Sequence, residues 1–463
     1  MAAPPSLYLG ASRSLDGQEA SALQLPAHHL TTHAVVVGMT GSGKTGLLTV
    51  MVEEALRRSV PVLMIDVKGD LPNLLLAFPN FAPELVEPWV EPAPGDPRTA
   101  AEIARELSQQ REHGLQAWNI GEKELHGFNA GIDVQVITPG SSAGTPLHVL
   151  SALEHPIANW KTDPDTARAS LSAAVSLLLR LLGRDADPAS SRDHVLISIL
   201  AERRLRLGEP SDLASLLADV VHPPIESIGA LPVDRFLSKR HRADLAAALN
   251  TLLASPTFAT WREGTPLDIQ SWLTPKNGRT PAVILSVAHL DDDERALVLG
   301  VVLEDLLTHV RSLPGSKRLR ALVVFDEVYG FLPPHPANPP TKRPLVSLMK
   351  QARAFGVGVV IATQNPMDLD YRALSNAGLW CIGRLQTDAD RARVIEGLCA
   401  ASHVGGVVSA EHLSDVAKRL SDRWFLMRDV HATTGTCLMQ PRWAMSFMKG
   451  PMTGQEIRRA REA

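Results

Sequence analysis

His33-Ala-Val-Val-Val-Gly38-Met-Thr-Gly-Ser-Gly-Lys44-Thr45-Gly46 decides the fold. The first half is a short apolar run rich in valine, which reads as a buried strand. The second half fits G-x-x-x-x-G-K-T. After it, Leu47, Val50, Met51, Ala55 and Leu56 recur at helical spacing up to Arg58. Glycines let the backbone between strand and helix turn several N–H groups inward, and the helix N-terminus adds its positive dipole end. Gly38, Thr40, Gly41, Ser42, Gly43 and Gly46 are therefore the candidate cradle for a polyphosphate. Lys44 can place its ammonium between β- and γ-phosphates, and the Thr45 hydroxyl can ligate Mg²⁺. The expected cofactors are ATP and Mg²⁺.

Working outward, Pro61-Val-Leu-Met-Ile-Asp66 reads as a second buried strand, which makes a βαβ unit and hence a parallel sheet. A Pro-rich loop follows over 79–97, then a helix over 98–113 and a strand over 133–138. From 156 to 275 long amphipathic helices dominate, at 166–182, 193–207, 211–220 and 241–253. This is a helical insertion large enough to form a small domain of its own. After Pro281 strands alternate with helices again. Strands are expected at 282–287, 319–325, 357–363 and 379–383, and helices at 292–311, 345–355 and 411–420. A hairpin of 424–428 with 436–440 is expected next, and the Arg-rich end Glu456-Ile-Arg-Arg-Ala-Arg461 reads as a solvated tail or a helix. The expected division is an N-terminal extension over 1–32, a core in two parts over 33–155 and 276–445 around the insertion, and a C-terminal tail over 446–463. The fold class is α/β, with a mainly parallel sheet.

Two further strand ends carry chemistry. Leu319-Arg-Ala-Leu-Val-Val-Phe325 ends in Asp326-Glu327. The first carboxylate can hold the Mg²⁺ shell, and the second can polarise an attacking water as general base. Adjacent residues at a strand end point different ways, so the two can have different tasks. A base beside water favours hydrolysis over transfer to an acceptor. Gly358-Val-Val-Ile-Ala-Thr363 ends in Gln364, whose amide can touch the γ-phosphate or the water and register their loss. Asp66 and Asp70 are weaker candidates: Asp66 either touches the Mg²⁺ water shell, positions Lys44, or caps its strand.

Composition is that of a globular protein, with 45% hydrophobic and 21% charged residues in 463. That balance excludes disorder as the main state. The formal net charge of −4 excludes a globally basic nucleic-acid coat, though not a local basic channel. Cys381, Cys399 and Cys437 form no CxxC pair and fit a reducing compartment. The sequence offers neither a secretory leader nor an apolar run near the ~18 residues of a membrane span, so a cytoplasmic location is expected. The basic runs Arg203-Arg-Leu-Arg206, Lys239-Arg-His-Arg242, Lys317-Arg-Leu-Arg320 and Thr341-Lys-Arg343 are either solvated faces or DNA-contact loops.

Taken in order, Gly38–Thr45, Asp326-Glu327 and Ala362-Thr-Gln364 resemble the HerA/FtsK superfamily of P-loop ATPases, and within it HerA-like proteins including the VirB4-related branch. Ile65-Asp-Val-Lys-Gly-Asp70 and Lys350-Gln-Ala-Arg-Ala-Phe-Gly-Val-Gly358 add to that resemblance, which covers about 28–80 and 280–440. The resemblance implies a RecA-like core, a ring that is commonly a hexamer, and double-stranded DNA in its pore. It implies Lys44 and Thr45 for phosphate and Mg²⁺, Asp326 for Mg²⁺, Glu327 for catalysis and Gln364 as sensor. Arg353 takes the place of an arginine finger acting on the neighbouring subunit, with Arg372 and Arg384 as rivals. A nuclease or other effector is an implied partner. HerA proteins commonly carry a β-barrel domain ahead of the P-loop, whereas here 37 residues precede Gly38. The expected function is DNA translocation driven by ATP hydrolysis. Its alternatives are a VirB4-like secretion ATPase and a nucleotide-gated scaffold holding an effector.

Overall fold

The computed structural model describes residues 5–15, 20–154, 160, 163–262, 264–400, 409–432 and 435–462. Eleven strands form one sheet. They are β1 (Ser6–Arg13), β2 (Ser21–Pro26), β3 (Ala34–Val37), β4 (Val62–Asp66), β5 (Ile132–Ile137), β6 (Thr280–Ser286), β7 (Ala321–Asp326), β8 (Val357–Thr363), β9 (Leu379–Ile382), β10 (Phe425–Asp429) and β11 (Thr436–Pro441). Their order is β2-β1-β11-β10-β9-β3-β8-β7-β4-β6-β5. From β9 to β5 the strands are parallel; β10, β11, β1 and β2 extend the sheet antiparallel. The phosphate loop follows β3, a central strand, and the strands that end in Gln364 and Asp326 stand next to it in turn.

Both faces of the parallel part are covered, so its strands are apolar throughout and send alternate side chains to opposite sides. Val35, Val37, Leu63, Ile65, Val323 and Phe325 enter one core, while Ala34, Val36, Val62, Met64, Leu322 and Val324 enter the other. The second core is covered by α1 (Lys44–Arg57), α2 (Ala100–Gln116) and α3 (Glu122–Gly131). Over the first lie α4 (Pro164–Leu181), α5 (Arg192–Leu207), α6 (Leu213–Val221), α7 (Lys239–Ala254), α8 (Asp292–Ser312), α9 (Lys342–Gln351), α10 (Asp388–Ala400) and α11 (Ala410–Lys418). Thr99 with Glu102 and Asp291 with Glu294 form capping boxes that start α2 and α8. The chain ends in α12 (Gly454–Glu462), whose Ile457 enters the second core.

Three expectations need correction. The stretch 1–32, expected as an extension, supplies β1 and β2 to the sheet. The two pair with each other, and β1 pairs with β11. The helices of 156–275 are present, but they do not enclose a core of their own. Ala174, Leu178, Leu245 and Leu249 belong to the same apolar cluster as Val298, Leu306 and the sheet, because α4 packs along α8. The boundary at 155–156 itself falls outside the described residues. The stretch 446–463, expected as a tail, is docked over its described residues 446–462: Met452 and Ile457 are buried against the α1 side. Among the described residues no helix is long and apolar enough to cross a membrane.

Candidate nucleotide site

The loop after β3 turns sharply into α1, and Gly43 at the turn has φ 94° in the left-handed region. A Cβ there would stand 3.1 Å from Cα and Cγ of Arg423, so a side chain is excluded twice over. Met39 N donates to Arg384 O at 2.8 Å, and Arg423 N donates to Ser42 O at 3.0 Å. The loop is thus gripped from the β9 and β10 side. Lys44 is buried, and its Nζ is turned back onto the carbonyl oxygens of Gly38 and Met39. Burial lowers the Lys44 pKa to about 8; the nearby Glu327 carboxylate opposes that shift and Lys68 adds to it. A polyphosphate would supply the charge this ammonium lacks. Ser42 is buried, and its Oγ has no hydrogen-bond partner among the described residues. Thr45 and Gly46 are half-buried in the first turn of α1, and a Cβ on Gly46 would meet nothing within 4 Å.

Asp326 ends β7 directly opposite Asp66, which ends β4. Their environments differ. Asp66 is saturated: Oδ1 accepts from Gly69 N at 2.9 Å and Lys68 N at 3.3 Å, and Oδ2 from Ser286 Oγ at 3.2 Å. It fixes the turn after β4, so of its three readings the structure favours the cap. Asp326 is 2% exposed, and its Oδ2 has no hydrogen-bond partner among the described residues. Burial raises its pKa to about 6, with the Lys68 ammonium opposing and Asp66 adding to the rise. A buried oxygen with an open lone pair near Lys44 fits a divalent cation carrying phosphate.

Glu327 leaves the strand with φ 61°, a left-handed conformation uncommon for a residue with a side chain. That turn brings its carboxylate under the end of β8. Oε1 accepts from Thr363 Oγ1 at 3.0 Å and from Gln364 N at 3.1 Å, and Oε2 accepts from Lys68 Nζ at 2.7 Å. Gln364 in turn accepts from Thr40 Oγ1 at 2.8 Å, which ties the third strand end to the phosphate loop. Gly38–Gly46, Asp326, Glu327 and Gln364 are therefore together in one site at the carboxyl ends of β3, β7 and β8. Lys68 belongs to it, though sequence reasoning gave that residue no role. The signal was the Lys-Gly turn straight after Asp66, a strand end next to the paired carboxylates.

Arg353 is elsewhere. It is exposed in the 3₁₀ turn Ala352–Phe355 that precedes β8, near His33 and His431, at the opposite end of the strand from Gln364. Arg384 adjoins the phosphate loop of its own chain and pairs with Asp422 at 3.1 Å. The side chain of Arg372 lies outside the described residues. Most of the basic runs are spent in ion pairs: Arg204 with Asp219, Arg242 with Asp234, Lys342 with Asp370 and Arg343 with Glu304. Lys317, Arg318 and Arg320 are exposed, and no ion pair of theirs is found among the described residues.

Residues 14–128 match the family described as "Helicase HerA, central domain". That stretch, which carries the phosphate loop, is similar to the central domain of HerA. Its whole fold is similar to that of VirB4 of Thermoanaerobacter pseudethanolicus, with 12% identity, a TM-score of 0.52, and 95% of this chain and 96% of that one covered. The conjugative coupling protein TrwB in complex with ADP and Mg²⁺ has 13% identity over 98% of each chain, with a TM-score of 0.48. No curated protein matches the sequence. The sheet with β3 central and the site at the carboxyl ends of its strands are the RecA-like arrangement.

Proposed function

We propose that the protein is a DNA translocase that works as a ring, converting Mg-ATP hydrolysis into movement of double-stranded DNA. Lys44 and the backbone of Gly38–Gly46 hold the phosphates, while Thr45 and Asp326 hold Mg²⁺. Glu327 polarises the attacking water, and Gln364 senses the γ-phosphate. The observation that carries the ring is the division of β8. Gln364 follows its last residue and faces the phosphate loop; Arg353 precedes its first residue and faces away. Seven residues of strand separate them by about 23 Å. Arg353 therefore serves a site on a neighbouring subunit, where its guanidinium would neutralise charge on the transferring phosphoryl group. Each subunit's hydrolysis then depends on the next, as a sequential motor requires. Lys317, Arg318 and Arg320 lie at the same end of the sheet as Arg353 and give that face a positive character suited to phosphates.

The test is steady-state ATPase with and without linear duplex DNA, in wild type, Glu327→Gln, Arg353→Ala and an equimolar mixture of the two variants. DNA should stimulate the wild type. Each variant alone should fall by about 10² or more. The mixture should recover activity, because an intact Glu327 in one subunit meets an intact Arg353 from the next. A mixture as inactive as its parts would remove the trans role of Arg353. Hydrolysis indifferent to DNA in an assembled ring would favour the secretion-type ATPase.

A further inference from the structure

The phosphate cradle has an open end. Asp326, Glu327 and Gln364 stand at its γ side, so the nucleoside of a bound triphosphate must leave past Thr45 and Gly46, over the first turn of α1. On that side the chain has built a surface that phosphate binding does not use. Arg423 has φ 62°, and its Cα and Cγ lie against Gly43. Its guanidinium donates from one nitrogen to Pro441 O and Arg442 O, both at 3.3 Å, and its Cζ stands 5.4 Å from the centroid of the Trp443 ring. Trp443 lies on the backbone of Gly114 in α2, where a Cβ would be 2.5 Å from the ring. Met448 Sδ is 3.9 Å from Thr49 Oγ1, one turn along α1 from Thr45.

The segment that carries these side chains is held rigidly. Arg442 is fully buried and reaches Glu53 at 2.8 Å and Glu54 at 3.0 Å; Met445 N and Ser446 N both donate to Glu53. Yet Trp443 and Met448 are each 37% exposed, among the few large apolar side chains left open to solvent. An apolar surface kept open on a rigid segment invites a flat apolar partner. A guanidinium stacked on an indole offers its other face to an aromatic ring, and a thioether favours a ring edge.

We propose that Arg423, Trp443 and Met448 form the platform for the purine base of the nucleotide. This rests on the reading of Gly38–Thr45 as the phosphate site, and it gives the C-terminal segment a part in nucleotide selection. Stacking would make affinity depend on the base as well as on the phosphates, with purine nucleotides preferred to pyrimidine nucleotides for their larger ring.

Calorimetric titration with the slowly hydrolysed analogue ATPγS and Mg²⁺, beside inorganic tripolyphosphate and Mg²⁺, tests this on the full chain. Trp443→Ala should weaken ATPγS binding about tenfold, the scale of one base–aromatic stack, and leave tripolyphosphate unchanged. Met448→Ala should act in the same direction by a smaller factor, and Trp443→Phe should keep most of the affinity. Retained tripolyphosphate binding shows at once that each variant is folded. Wild-type affinity for ATPγS in Trp443→Ala, or an equal loss for both ligands, would overturn the platform. Lys44→Ala separates the two claims. It should weaken both ligands, and if it weakens neither, the phosphate site itself is misplaced.

Discussion

Lys68 Nζ stands 2.7 Å from Glu327 Oε2, joining the turn after β4 to the end of β7 across 259 residues of sequence. The pair completes a set of three donors around one carboxylate, with Thr363 Oγ1 and Gln364 N on its other oxygen. Glu327 is thereby held in a single orientation. The turn that carries Lys68 is itself fixed, by Asp66 from inside and by Met452 N donating to Gly69 O at 2.9 Å from the C-terminal segment.

Lys68→Ala removes the only charged donor of that set. A charge-assisted hydrogen bond contributes about 1.5–3 kcal/mol, and Lys68 is a third exposed, so the lower end applies. The expected result is kcat reduced about tenfold with the KM for ATP nearly unchanged, since the phosphate cradle is untouched. Lys68→Arg should recover most of the loss. A change in KM alone would show that Lys68 binds phosphate and does not orient Glu327.

A second carboxylate gives a stability signal away from the site. Asp305 on α8 is 5% exposed, with Ile269 N 3.5 Å from its Oδ2 and Asp268 adding negative charge nearby. Burial raises its pKa from 3.8 to about 7. The folded state therefore holds the proton more tightly than the unfolded chain. By linkage, this group adds stability as pH falls from about 7 towards 4 and costs stability above 7. Asp305→Asn removes the titration. Its gain over wild type should be greatest near pH 8, at most about 4 kcal/mol, and should shrink towards pH 5. Thermal unfolding of both proteins at the two pH values checks this, and a gain that does not vary with pH would refute it.

Much of the α/β core was legible because its signals are local. Ala34–Val37, Lys44–Arg57 and Val62–Asp66 declare themselves by period and by the glycines between them, and the paired carboxylates and Gln364 stand at the ends of apolar runs. What the sequence hid is long-range. β1 finds its place beside β11 only because Gly10 admits Gln440 O, which a Cβ would approach to 2.1 Å. Neither segment announces the other. Helical period in 156–275 shows that each helix has an apolar face, but not that the face of α4 is covered by α8. Lys68 had no role in the sequence reading, because a salt bridge to a residue 259 positions away leaves no pattern in either neighbourhood. The C-terminal segment was hidden for the same reason: Arg442 meets Glu53 and Glu54 across 389 and 388 residues of sequence.

Those partners set the last prediction. Arg442 is fully buried with both glutamates, bonded also to Tyr8 O and Trp443 O, so one guanidinium joins α1 to β1 and to the segment after β11. Glu53 holds Met445 N, Ser446 N and Ser446 Oγ as well. A buried pair adds little net stability when it is intact, because desolvation offsets the attraction, but removing one partner strands the other charge. Arg442→Met keeps much of the volume and strips Glu53 of its ion-pair partner, while Glu54 keeps only Arg57. It should cost about 3–5 kcal/mol, read as a lower denaturation midpoint in urea. The triple variant Arg442→Met with Glu53→Gln and Glu54→Gln should regain part of that loss, because neither glutamate is then a buried charge without Arg442. If the triple variant is no more stable than the single one, the segment is held by the packing of Met445 and Met452, and the buried charges do not hold it.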